Sequence, residues 1–230
     1  ISLVRGVPRL PNRKTDKAVV HDMPSPLRNR MVHLEVDADF DEWKSWAMHN
    51  GIRSEVIGFL NFKTDYLFRF DPKVHTQAFP TPRSWAFASK ILDGLEGRAT
   101  GAHELFSGTI GKGEATEFVA FIKTHAKLPD PREVVEKGNT PPAPEKDPAA
   151  LYAFSGSLVG CVERQKGKAK QLAGAEKMIQ YITDHFPNEF IALTAKDMTR
   201  LPCYDKIADD LCSSKAWVAL VKKCGKLIAA

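Results

Sequence analysis

Residues Phe79–Trp85 read FPTPRSW, and what this stretch begins decides the fold of its surroundings. Thr81 suits an N-cap because its hydroxyl can accept from an orphan backbone N–H, and Pro82 suits the first helical position, where a missing donor costs nothing. Trp85, Ala88, Leu92 and Leu95 then recur at helical spacing and supply one apolar face. The stretch therefore predicts a helix with Arg83 in its first turn. A guanidinium there meets the positive end of the macrodipole, an unfavourable pairing worth a few tenths to about 1 kcal/mol. A bound anion would reverse that sign, since free N–H groups and an arginine together hold phosphate well. A solvated surface arginine is the alternative reading.

Upstream, MVHLEV (Met31–Val36) alternates apolar and polar residues and predicts a strand. Asp39 and Glu42 then form a capping-box-like pair, with Phe40, Trp43, Trp46 and Ala47 as the expected buried face of a helix ended by Asn50-Gly51. Ser54 starts the next helix through Val56, Ile57 and Leu60, and an aromatic-rich loop, NFKTDYLFRFDP, leads into FPTPRSW. Downstream, FSGTIGKG reads as a glycine-bearing loop before a helix from Glu114 to His125. Between Leu128 and Pro148 the prolines crowd and predict a linker or surface strap. Helices are then expected over Leu151–Arg164, Leu172–Phe186 and Lys215–Ile228. The fold class is mainly α with one strand.

At 230 residues, 43% of them hydrophobic, the chain can bury a real core. No apolar run approaches the roughly 20 residues that span a bilayer, and the start lacks a signal-peptide core. The reading is a cytoplasmic protein with no membrane partner. Cys161, Cys203, Cys212 and Cys224 show no metal-ligand spacing and read as reduced thiols. A net charge of +5 is modest for this length, so nucleic acid is not the expected partner. The chain opens on Ile1, and Pro8 and Pro11 break any regular element in ISLVRGVPRLPNRKTD, which reads as the edge of a fragment.

No segment matches G-x-x-x-x-G-K-[ST]; GTIGKG shares its composition but not its spacing. The serines of FSGSLVG lack the setting of a nucleophile elbow, and no nucleophile–base pair is legible. Polar residues instead gather near element ends: Asn12 before TDKAVV, Arg28 and Arg30 before the strand, and Arg83. Each also has an ordinary reading, as a turn asparagine, as charges flanking an edge strand and as a solvated helix start.

The order NRKTDKAVV, PSPLRNRMVHLEV, a DxDEWxxWA helix and FPTPRSW resembles the second half of a MoxR-like, dynein-related AAA+ ATPase of bacterial or phage type. The resemblance covers residues 11–150 well and the last helices more loosely. It implies that residues 1–36 end an AAA+ α/β core with its last strand, 37–127 form the helical lid, 128–148 a proline-rich linker and 149–230 a C-terminal helical module. It assigns sensor 1, which orients the attacking water, to Asn12. The arginine finger falls to Arg30, with Arg28 as the fallback, and sensor 2 to Arg83. ATP and Mg2+ would be bound mainly by a preceding part that carries the Walker motifs. The implied assembly is a homo-oligomeric ring, a hexamer, that remodels a protein client. A different class of reading is a stand-alone helical module whose basic segments RQKGKAK and KKCGK contact nucleic acid or an acidic protein.

Overall fold

The computed structural model describes residues 24–32, 37–70, 78–99, 101–144 and 147–228. These are mainly helical and include no strand. Asn12 and most of MVHLEV lie outside the described residues; the first two residues of that expected strand, Met31 and Val32, are exposed.

A short helix α1 (Ser25–Arg28) precedes α2 (Phe40–His49), where Asp39 Oδ1 accepts from the Glu42 N–H at 2.8 Å. Gly51, at φ +70°, ends α2 in the left-handed region that glycine tolerates. Its buried face differs from the expected one. Trp43 and Ala47 are buried, but Trp46 is 46% exposed and Lys44 takes the inward position at 1%. The helix is rotated because Lys44 has a buried anionic partner.

α3 (Ser54–Phe62) leads through a 3-10 turn, Thr64–Leu67, toward α4 (Pro82–Gly94). The start of α4 is as the sequence predicts, with one addition. Ser84 completes a reciprocal cap, since its N–H donates to Thr81 Oγ1 at 3.0 Å while its own Oγ accepts from the Thr81 N–H at 2.7 Å. Trp85 is fully buried, its indole N–H donating to the Tyr66 carbonyl at 2.7 Å. Its ring lies 5.4 Å from Phe59 and 5.3 Å from Phe118, so the tryptophan of FPTPRSW pins α4 to the aromatic centre of a first core built from α2 to α6.

The expected FSGTIGKG loop is instead mostly helix. α5 (His103–Ile110) runs through Gly108, and only Gly111, at φ +98°, breaks it from α6 (Lys112–His125). Phe106 and Ile110, one helical turn apart, are both fully buried, and that burial outweighs the roughly 1 kcal/mol cost of a helical glycine.

A second core gathers α7 (Pro148–Arg164), α8 (Lys168–His185), α9 (Asn188–Thr199), α10 (Tyr204–Cys212) and α11 (Lys215–Ile228). Two of these, α9 and α10, were not read from the sequence. Segment 128–148 contributes to this core as well: Val134 and Val135, in a π-helical turn Glu133–Lys137, are 1% exposed, and Tyr181 donates to the Pro141 carbonyl at 3.0 Å. The four cysteines are unpaired.

α7 serves both cores, Ala153 belonging to the first and Phe154 and Leu158 to the second. It crosses α3 closely because glycines face each other: a Cβ on Gly156 would sit 3.3 Å from the Ser54 carbonyl, and one on Gly58 3.4 Å from the Tyr152 carbonyl. The boundary expected at 148/149 thus falls at the start of the helix that joins the two halves.

A buried polar cluster adds a second junction. The Lys44 ammonium pairs with Asp197 of α9 and donates to Asn61 Oδ1 of α3 at 2.6 Å. Asp197 is 1% exposed. Burial pushes the Lys44 ammonium down and the Asp197 carboxyl up from their ordinary ranges, each opposed by the charge of the other. At the rim, Arg200 donates to Asp41 at 2.8 Å.

Candidate functional site

The reciprocal cap on α4 leaves a defined set of donors. Pro82 has no N–H, and those of Thr81 and Ser84 are satisfied inside the cap. Among the described residues nothing accepts from the backbone N–H of Arg83 or from its guanidinium. The side chain is exposed, and the first turn holds no acidic residue to offset it. The helix start therefore presents a main-chain donor, a guanidinium and the positive dipole end together, an arrangement suited to a phosphate or carboxylate.

Of the other expected site residues, Arg30 is exposed in the turn after α1, and no described residue pairs with it. Arg28 is the last residue of α1, and its side chain lies outside the described residues, as does all of Asn12. No hydrogen bond or ion pair joins Arg30 to Arg83 among the described residues. The basic segments are partly committed: Lys168 pairs with Asp210 at 2.8 Å, and Lys223 donates to the Thr183 carbonyl.

A cavity of about 330 Å³ opens where the start of α3, the end of α6 and the middle of α7 converge. Arg53, Ser54, Glu55, His125, Ser157 and Arg164 line it. Sequence reading missed this constellation, because its members come from three elements and no local spacing marks them. His125 Nε2 lies 2.8 Å from Ser157 Oγ, a nucleophile–base distance. The pair is nevertheless not built for hydrolysis. Ser157 Oγ donates to the Ala153 carbonyl at 2.8 Å, and the N–H groups flanking it lie inside α7, so the helix offers no main-chain oxyanion donor beside it.

Burial pushes the His125 imidazole below its ordinary value; Glu55 opposes this, while Arg53 and Arg164 reinforce it. Burial alone would raise the Glu55 carboxyl, but Arg53 beside it holds it below the usual range. A lowered histidine pKa means that, just below pH 6.5, the unfolded chain binds a proton that the native state does not. Stability is thus expected to rise with pH through that window and to level off above it. Urea midpoints from about pH 5 to 7 test this, and His125→Gln should flatten the local slope.

No protein-family model matches the chain, and neither curated proteins nor solved structures give a significant match. Among the described residues no helix is long and apolar enough to cross a membrane, and no group of three or more acidic, histidine or cysteine side chains is placed to hold a metal ion.

Proposed function

We propose that this chain is the C-terminal, lid-bearing part of a MoxR-like AAA+ ATPase. The reading rests on the four ordered motifs, and the observation that carries it is the start of α4, where Arg83 stands exposed and unpartnered beside an unused backbone donor. In this reading Arg83 contacts the phosphates of ATP bound by its own subunit. Arg30, with Arg28 as its fallback, reaches the nucleotide of the neighbouring subunit, and Asn12 orients the attacking water. Among the described residues no group of three or more acidic, histidine or cysteine side chains is placed to hold Mg2+, which in this reading is bound mainly by the part carrying the Walker motifs. The complete protein would form a homo-oligomeric ring, a hexamer, and use lid rotation to remodel a protein client in the cytoplasm.

Two measurements test the reading. Purified as it stands, the chain is expected to hydrolyse no ATP and to bind it weakly, because its sequence has no loop to wrap the phosphates. Tight, magnesium-dependent binding seen by calorimetry would count against the assignment. In the complete ATPase, Arg83→Ala is expected to weaken ATP binding by about tenfold to a hundredfold, the loss of one charge-assisted contact. Unchanged affinity would remove Arg83 from the site.

A further inference from the structure

The last two helices, joined by the short turn Ser213-Ser214, expose faces of opposite charge. On α11, Leu220 and Cys224 are buried, whereas Val218 and Val221 are 42% and 45% exposed. Lys215 and Lys222 stand one turn to either side of Val218, both exposed, and no described residue pairs with them. The helix contains no acidic residue. Lys223, across the helix from Val218 by helical spacing, is spent on the Thr183 carbonyl.

α10 has the matching pattern. Ile207 and Leu211 are buried, and beside them the half-buried Tyr204 and Ala208 and the exposed Cys212 follow at four-residue spacing. Asp205 and Asp209 run along the edge of that row, exposed and unpaired among the described residues. Asp210 is spent on Lys168, and Lys206 lies on the opposite flank by helical spacing. Each face is thus an apolar row with one charged edge, basic on α11 and acidic on α10. No ion pair joins the two edges within the chain among the described residues, so both charges remain for another molecule.

We infer that α11 of one copy docks antiparallel on α10 of another. The partner is a second copy because the chain itself carries the complementary face. Helices that meet face to face present their side chains in mirrored order, so an antiparallel approach sets the valines against the Tyr204 row and the lysine edge against the aspartate edge. A rise of 1.5 Å per residue separates the lysines by about 10 Å along the axis and the aspartates by about 6 Å, a difference that lysine side chains span. The contact is heterologous, so every added copy leaves one face of each kind open until a ring closes. It goes beyond the ATPase reading, since neither helix carries a residue of the proposed nucleotide site. Two faces this small fall short of the roughly 1,200 Å² of a stable interface, and the contact is expected to be weak, with a Kd of about 0.1 mM at low salt.

Sedimentation velocity of the chain from about 10 μM to about 1 mM, with reductant present because Cys212 is exposed, tests the contact. The weight-average sedimentation coefficient is expected to rise with concentration and to fall back at about 0.5 M salt, where the charges are screened. The pair Lys215→Glu with Lys222→Glu, and separately the pair Asp205→Lys with Asp209→Lys, should each weaken association by about tenfold or more. An equimolar mixture of the two variants should associate again, because the reversed α11 of one meets the reversed α10 of the other while their native faces also match. From the parent's +5 the first variant keeps +1 and the second reaches +9, so attraction between opposite net charges cannot supply the recovery. All four positions are exposed, and far-UV circular dichroism checks that each variant is folded. Should a reversal lower helicity, Lys215→Gln with Lys222→Gln carries the same expectation of weakened association. A parent chain still monomeric at about 1 mM, association that survives either reversal, or a mixture of folded variants that stays monomeric would each overturn the contact.

Discussion

Asp197→Ala is expected to cost about 3–5 kcal/mol of stability, among the largest single-residue effects in the described fold. The carboxylate is 1% exposed and partners a lysine that is equally buried. Removing it leaves an ammonium in a low-dielectric interior with the Asn61 amide oxygen, 2.6 Å away, as its hydrogen-bond acceptor and only the Phe40 ring and the more distant Asp41 charge besides, among the described residues. The cost is that of stranding a charge, not the net worth of the pair, and this yields a second expectation. The double variant Lys44→Met, Asp197→Leu should recover most of the loss, because apolar side chains of similar volume need no compensation. Urea denaturation of the two variants beside the parent chain measures both effects. A loss below about 1 kcal/mol for Asp197→Ala, within the range of solvated surface pairs, would show that water reaches the pair.

That cluster also marks the limit of what the sequence discloses. Two helix starts carry a local signal that was sufficient: Asp39 for α2, and Thr81-Pro82, followed by Trp85, Ala88 and Leu92, for α4. α5 was hidden because Gly108 reads locally as a loop residue, whereas the burial of Phe106 and Ile110 is settled by α4 and α6. The phase of α2 was misread for the same kind of reason. A lysine on an amphipathic helix normally faces water, and nothing near Lys44 announces a partner on α9. The cavity at His125 is the extreme case, since Arg53, His125 and Arg164 acquire a common site only once α3, α6 and α7 have packed. Arg83 was legible because its peculiarity is local: a cation in the first turn of a helix with nothing to balance it.

If the chain is the lid-bearing part of an AAA+ ATPase, as proposed, Arg30 and Arg83 are expected to fail in different ways when each is replaced in the complete protein. Arg83 belongs to a helix start of the lid in the proposed reading and meets ground-state ATP of its own subunit, so Arg83→Ala should lower both affinity and turnover. In the same reading Arg30, exposed in the turn after α1, would meet the nucleotide of the neighbouring subunit only as charge develops on the transferred phosphoryl group. Its replacement should leave binding nearly unchanged and reduce turnover by about 10³- to 10⁵-fold, the range found for arginine fingers in related phosphoryl transfer. An interaction made only in the transition state changes the rate without changing ground-state affinity. Mixing separates the two roles. Rings that combine Arg30→Ala subunits with subunits crippled in magnesium binding should regain part of the activity, because some interfaces then join an intact site to an intact finger. Arg83→Ala subunits should gain nothing from the same mixing, since their own nucleotide site remains defective. With mixed rings verified by native mass spectrometry, equal recovery for both arginines, or none for Arg30, would refute the division of roles and leave Arg83 a solvated residue at a well-capped helix start.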